Sequence, residues 1–394
     1  MLTGFSIARL PRIEFGYGSL EKLPALIARC GKRVLLVTGA ASVQATPHWQ
    51  KLLDALTKAD RHWWHCSVSG EPSPKLVDAY VQQFTDENIE VVVGIGGGSV
   101  LDAAKAIAGL LKVRLSVMDF LEGVGPERAY TGPATPFIAV PTTAGTGSET
   151  TRNAVLSVQG EVGFKKSFRH EMLVAEYAVV DPVWLDSCPA SLIAANGMDA
   201  LTQLLESFVS TRANRMTDAL NRSGLLALRD SLLPWYQGKA DAAEKASMAY
   251  AAMVSGICLA QTGLGSVHAV AAPLGAFFSI PHGIACGTLL AEATEINLQA
   301  LNLRATNSPA LAKYVEISEL LYQRHFDSPK KARHALIDLL RRWCQQLQLP
   351  GLAKFGMQIT DIERVVANSR GSSMQTNPVP LKDSEIMALL ERRL

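Results

Sequence analysis

Two imidazoles, His268 and His282, stand in a stretch, residues 263–283, that carries no formal charge. They are two of only eight histidines in 394 residues. The charge-free run around them extends from Ala246 to Ala291. Imidazole exchanges protons and forms hydrogen bonds near neutral pH. A run this long without Asp, Glu, Lys or Arg either crosses a membrane or lies deep in a core. Pro273, Pro281 and six glycines interrupt it, and Gln261, Ser266 and both imidazoles would be costly in lipid, so burial in a protein core is expected. A buried polar group without a partner costs about 1–3 kcal/mol, so each imidazole needs one. Upstream, the segment NGMDALTQLLES places Asp199, Gln203 and Glu206 on one helical face, at i, i+4 and i+7. Taken alone, Asp199 reads as a dipole partner or cap at a helix start. The histidines alone read as hydrogen-bonded core residues.

Two further stretches could hold a phosphate. GIGGGSVLDAAKAIAG follows an apolar strand pattern, and its Gly96, Gly97 and Gly98 permit positive φ and close backbone approach. Ser99 can donate at the start of the helix that follows, where free N–H groups and the dipole favour an anion. The spacing is not the GxGxxG of the usual dinucleotide fingerprint, and a merely tight turn is the plain alternative. The second stretch, VPTTAGTGSETTRNAV, gathers the hydroxyls of Thr142, Thr143, Thr146, Ser148 and Thr150 around Gly145 and Gly147. It can wrap a ribose or pyrophosphate, although Ser and Thr also favour ordinary capped turns. Two such loops at the carboxyl ends of two strands favour cofactor binding.

The elements that must position these groups alternate in the first half. Strands are expected at residues 13–19, 33–38, 63–67, 91–95 and 137–140, with helices at 20–30, 51–59 and 75–87 between them. This pattern predicts an α/β domain with a parallel sheet and the strand near Ile13 at its edge. From Ser191 onward the periodicity is helical, so the expected domains are 1–185 and 186–394, the second ending in a capped helix at 384–393. Charge is nearly balanced at +2 and no basic cluster is interleaved with aromatics, which argues against nucleic acid. No signal-peptide pattern opens the chain, and the six cysteines form no CxxC pair. These features lead to an expected cytoplasmic location with reduced, mostly packing thiols.

The chain resembles the iron-containing (group III) alcohol dehydrogenases over nearly all its length. The matching pieces are FGYGSL, GIGGGSVLDAAKAIA, VPTTAGTGSETT, AVVDP, GMDAL, GLGSVHAVAAPLGAFFSIPHG and NPVPL, in that order. The resemblance implies a Rossmann-like α/β domain binding NAD(P), and an all-helical domain holding a divalent metal, the fold shared with dehydroquinate synthase. The implied activity is hydride transfer between nicotinamide C4 and a small aldehyde or primary alcohol. Family members hold the metal on one Asp and three His. Here these positions are Asp199, Gln203, His268 and His282, with Gln203 where the third histidine would stand. Its amide oxygen is a candidate weak ligand to Fe²⁺ or Zn²⁺. Ala272 occupies the position of a proton-relaying histidine.

By the same resemblance His268, His282 and Gln203 are the catalytic candidates, either around a metal or as hydrogen-bond donors to the substrate oxygen. Gly97, Gly98, Ser99, Asp102, Thr142, Thr143, Thr146, Ser148 and Lys165 are the implied cofactor contacts. Gly39 replaces the Asp that binds the ribose 2′-hydroxyl in many NAD-preferring relatives, and Ser42 follows it, which points to NADP(H) ahead of NAD(H). Asn153, Leu259, Leu264 and Phe278 would line a mostly apolar substrate pocket. Arg152 would bind a substrate carboxylate if it faced that pocket, and is otherwise a solvated loop arginine. The expected partners are a small alcohol or aldehyde and a second copy of the chain, as a homodimer or larger homo-oligomer. Three alternatives stay open: a metal-independent reductase of the maleylacetate-reductase kind, a cofactor-binding homologue with impaired catalysis, and a dehydroquinate-synthase-type lyase. The charge-free run leaves the last short of the basic residues it would need.

Overall fold

The computed structural model describes residues 4–394 and divides into two compact units. The first comprises Ala8–Val158 and Lys165–Ser187. Its strands are β1 (Arg12–Phe15), β2 (Arg33–Gly39), β3 (His62–Val68), β4 (Val91–Gly96), β5 (Phe137–Pro141), β6 (Asn153–Val158), β7 (Phe164–Arg169) and β8 (Tyr177–Val180). Six of them form one parallel sheet in the order β1-β8-β5-β4-β2-β3, with β1 at an edge. Helices α1 (Leu23–Cys30), α2 (Pro47–Lys58), α3 (Pro74–Phe84) and α4 (Gly98–Leu110) supply the crossovers. The continuous apolar runs of β2 and β4 are buried because helices cover a parallel sheet on both faces. Pro47 and Pro74 start their helices where a missing N–H is harmless, and Ser73 caps α3 by accepting the Leu76 N–H at 3.2 Å.

The chain winds outward from β2 to β3, then returns to place β4 on the other side of β2. Neighbouring loops therefore diverge at the carboxyl ends of β2, β4 and β5, where doubly wound sheets bind ligands. The separate pair β6–β7 was not anticipated, because FKKSFR carries too little apolar alternation to read as a strand.

The second unit comprises Cys188–Leu394 with the short segment Gln159–Phe164 and residues 4–7. Its helices are α5 (Ala190–Val209), α6 (Arg215–Tyr236), α7 (Ala242–Thr262), α8 (Ser266–Phe278), α9 (His282–Arg304), α10 (Ala310–Tyr322), α11 (Pro329–Gln346), α12 (Ile362–Ala367), α13 (Ser372–Gln375) and α14 (Asp383–Glu391). Helix α5 is buried along almost its whole length and forms the axis of the unit. Glycines set how closely its neighbours approach. A side chain at Gly283 would strike the Ala195 carbonyl, and one at Gly287 would strike Met198. These two residues, one turn apart on α9, lay that helix directly on α5. No single helix among the described residues is long and apolar enough to cross a membrane; α7 and α8 reach that composition only together, and they bend by 102° between them. Both are largely buried, so the charge-free run is core.

Candidate functional site

Four donor atoms converge inside the helical unit. Asp199 Oδ1 on α5 lies 3.3 Å from His268 Nε2 on α8 and 3.7 Å from His282 Nε2 at the start of α9. Cys286, one turn further along α9, puts its Sγ 3.7 Å from the same His282 nitrogen. All four ligand atoms fall within 4.8 Å of one another. Asp199 is 1 % exposed and His268 7 %, and neither Asp199 Oδ1 nor His268 Nε2 has a hydrogen-bond partner. At 3.3 Å these two atoms satisfy each other when His268 is protonated, and a cation between them satisfies both when it is neutral.

The imidazole of His268 is held from behind. Its Nδ1 bonds Glu206 Oε2 at 2.7 Å, which leaves Nε2 to face the donor cluster. Glu206 also accepts the backbone N–H groups of Gly265 at 3.0 Å and Val267 at 2.7 Å. Asn377, from the NPVPL segment, accepts the intervening Ser266 N–H at 2.9 Å and donates to Asn297 Oδ1 at 2.8 Å. Helix α8 has no side-chain cap of its own, so two residues distant in sequence satisfy its amino-terminal N–H groups. The helical face that carries Asp199 and Glu206 was legible in the sequence. The task of Glu206 was not, because its partners lie on another helix.

Electrostatics favour positive charge here. Burial pushes the Asp199 carboxyl up, but the imidazoles of His282 and His268 outweigh it and hold it below the ordinary value. Burial pushes His268 down, yet Cys286, Asp199 and Glu206 together raise it well above the usual imidazole range. Burial, with the charges of Asp199 and Glu206, pushes the Cys286 thiol up to about 12 against the pull of His268. Gln203, expected as a weak ligand, has its amide oxygen accepting the Ser255 hydroxyl at 2.6 Å. Cys286, read from the sequence as packing, is the residue that joins the histidines. Leu259, Leu264 and Phe278 are half-buried in this same unit, whereas Asn153 belongs to the α/β unit.

Within the α/β unit, the carboxyl ends of β2, β4 and β5 gather Gly39, Gly97, Gly98, Ser99, Thr142, Thr143 and Thr146. Of the two freedoms expected of Gly96, Gly97 and Gly98, close approach is used and positive φ is not; that conformation falls to Gly147. Space is what the first loop requires. A Cβ at Gly98 would lie 2.7 Å from Thr146 Cγ2, and one at Gly96 would strike Val100. Helix α4 begins at Gly98 without a side-chain cap, so its first N–H groups are open to an anion. Thr142, Thr143 and Thr146 are partly exposed, but Ser148 is buried and donates to Asp102 Oδ1 at 2.6 Å. Asp102 also accepts the Val155 N–H at 3.1 Å, so it ties α4 to the hydroxyl loop and to β6.

Sequence reasoning passed over Lys105 altogether. Its side chain is fully buried, and its Nζ lies 2.9–3.1 Å from Ser148 O, Ser148 Oγ, Thr151 Oγ1 and Asn153 O. A single cation in the apolar stretch AAKAIAG was the available signal. Lys165 pairs with Glu71 at 2.5 Å, and Glu71 also accepts the Ser157 hydroxyl. Arg152 stands 3.7 Å from Glu171 at the surface of its loop, as a solvated arginine would.

Family models match both halves of the chain: "Iron-containing alcohol dehydrogenase" over residues 11–182, and "Fe-containing alcohol dehydrogenase family, C-terminal" over residues 193–394. Alcohol dehydrogenase 4 of Saccharomyces cerevisiae (strain YJM789) is 31 % identical, the match covering 99 % of this chain and 98 % of that one. A 1,3-propanediol oxidoreductase structure superposes with TM-score 0.89 at 27 % identity over the full length of both chains. Sulfoacetaldehyde reductase from Bifidobacterium kashiwanohense, solved in complex with NAD⁺, superposes with TM-score 0.85 at 26 % identity, covering 99 % of each chain. Sequence match across both halves and agreement of fold along the whole chain lead to one assignment: this protein belongs to the iron-containing alcohol dehydrogenase family, oxidoreductases acting on CH–OH groups.

Proposed function

We propose that this chain interconverts a small aldehyde and its primary alcohol with NADP(H) in preference to NAD(H), assisted by a divalent metal on Asp199, His268 and His282. The observation that carries the metal is the convergence of a buried carboxylate oxygen and a buried imidazole nitrogen 3.3 Å apart, with a second imidazole and a thiol within 4.8 Å. These are borderline-to-hard donors suited to Fe²⁺ or Zn²⁺. Bound there, the ion supplies Lewis-acid polarisation of the substrate carbonyl, while the nicotinamide supplies the hydride.

The chain's own residues do the positioning. Glu206 fixes the His268 tautomer that presents Nε2, an arrangement common behind metal-binding histidines. The open N–H groups of α4 and the hydroxyls of Thr142, Thr143 and Thr146 hold the cofactor's phosphates and ribose, with Lys165 near the nicotinamide ribose. Ser148 and Asp102 keep that loop in place. Ala272 carries no titratable atom, so the proton for the product oxygen comes from water, a cofactor ribose hydroxyl or His282. Half-buried Leu259, Leu264 and Phe278 offer apolar surface that suits a short carbon chain.

Cofactor choice rests on Gly39. A Cβ there would meet Ser42 Oγ at 3.8 Å and Val100 Cγ2 at 4.0 Å, ordinary contacts that leave the position open. With no carboxylate at this position, the repulsion that an Asp there would exert on a 2′-phosphate is removed. Six free thiols suit a reducing cytoplasm, and the place of β1 at the edge of the sheet suits pairing with a second copy. The test is a panel of short aldehydes assayed with NADPH and NADH in parallel. The reading expects turnover with a higher kcat/KM for NADPH, and Gly39→Asp reversing the preference. Absence of turnover on every aldehyde with either cofactor would refute it.

A further inference from the structure

The ligand set of this chain is not that of the family it resembles. Gln203 stands where a third imidazole is expected, and its amide oxygen is occupied by Ser255. We infer that the Cys286 thiolate is the fourth donor of the metal site, so that the site is Asp199, His268, His282 and Cys286 and selects Zn²⁺ over Fe²⁺. The inference rests on the reading above that this cluster holds a divalent ion.

The spacing is close to that of a coordination shell. Around a tetrahedral zinc, with oxygen and nitrogen at about 2.0 Å and sulfur at about 2.3 Å, neighbouring donors lie roughly 3.3–3.6 Å apart. Three of the six separations are 3.3 Å, 3.7 Å and 3.7 Å, and all six are within 4.8 Å, so small side-chain shifts close the shell on an ion. Cys286 is fully buried, and its position is imposed by the helix crossing. Gly283 and Gly287 bring α9 onto α5 beside Asp199, and His282 and Cys286 occupy successive turns next to that contact. A packing thiol has no need of two imidazoles and a carboxylate as neighbours.

The chemistry follows from the change of donor. On binding, the thiol proton leaves to solvent as the sulfur–metal bond forms. One carboxylate and one thiolate then balance the charge of a divalent ion, where a carboxylate with three neutral imidazoles leaves one positive charge over. A thiolate is the softer ligand and favours zinc, which also stands above iron(II) in intrinsic affinity.

Cobalt(II) titrated into the metal-free, full-length protein separates this inference from the reading beneath it. Visible ligand-field bands report that an ion is bound, and a near-ultraviolet thiolate-to-cobalt band reports sulfur in the shell. Both are expected to grow together to one equivalent. Cys286→Ser should keep the visible bands, lose the near-ultraviolet band and bind zinc about 100-fold or more weakly, the upper end of what even outer hydrogen-bond partners of a metal site contribute. Visible bands without the near-ultraviolet band, or a near-ultraviolet band that survives Cys286→Ser, would overturn the thiolate ligand and leave the metal reading standing. No bands at all in the unmutated protein would overturn both. X-ray absorption at the zinc edge of the unmutated protein needs no variant: one sulfur at about 2.3 Å supports the inference, and a shell of nitrogen and oxygen alone refutes it. Iron retained against excess zinc under anaerobic conditions would refute the selectivity.

Discussion

Glu206 does more than any other single residue to shape the donor cluster. It bonds the far nitrogen of His268 and two backbone N–H groups at the start of α8, so it sets both the tautomer of the imidazole and the position of its helix. Glu206→Gln keeps the size and one acceptor oxygen but removes the charge. The expected result is zinc affinity lower by about 10–100-fold with the fold retained, measured by competition with a chromophoric chelator. Unchanged affinity would mean that the carboxylate serves only the helix. At this scale the sequence was uneven. His268, His282 and Asp199 could be picked out because few polar groups occur in such apolar surroundings and a family pattern runs through them. Cys286 could not, since a cysteine four residues after a histidine reads as packing until the crossing of α5 and α9 is known.

Among the elements, α4 and the hydroxyl loop after β5 act as one body. Lys105 reaches from the helix into the loop, Asp102, 3.7 Å from it, holds the same Ser148 hydroxyl, and Gly98 gives Thr146 the room to approach. Glu149 lies in this loop, 3 % exposed, and burial pushes its carboxyl up to about 7 against the pull of Lys105. The folded chain therefore holds the Glu149 proton more tightly than the unfolded chain. Its stabilising contribution is full below the ordinary carboxylate range and is lost as pH rises toward and through about 7. Glu149→Gln should remove that loss. Melting scans at several pH values should show the variant gaining on the parent between pH 5 and 8, by up to about 3 kcal/mol. A constant difference across that range would contradict the assignment. The strand-then-glycine pattern made the first loop legible. Its glycines were expected to permit positive φ and close approach; only the second is used, a distinction that depends on Thr146 and Val100 packing against them. The β6–β7 pair stayed hidden because its second strand is as polar as a loop.

For the whole molecule, the parallel sheet and the helical half followed from periodicity: short apolar runs alternating with amphipathic helices, then helices alone. The order of the strands did not, nor did the assignment of segment Gln159–Phe164 to the helical unit, since both are set by contacts between residues far apart in sequence. The proposal tested most directly is that a divalent metal on Asp199, His268 and His282 assists hydride transfer from a nicotinamide cofactor. The most direct test is metal content by plasma mass spectrometry, with aldehyde reduction by NADPH assayed before chelation, after it, and after metal is returned. The account predicts close to one zinc or iron per chain, activity lost with the metal and recovered with it. Full turnover by protein stripped of metal would contradict it.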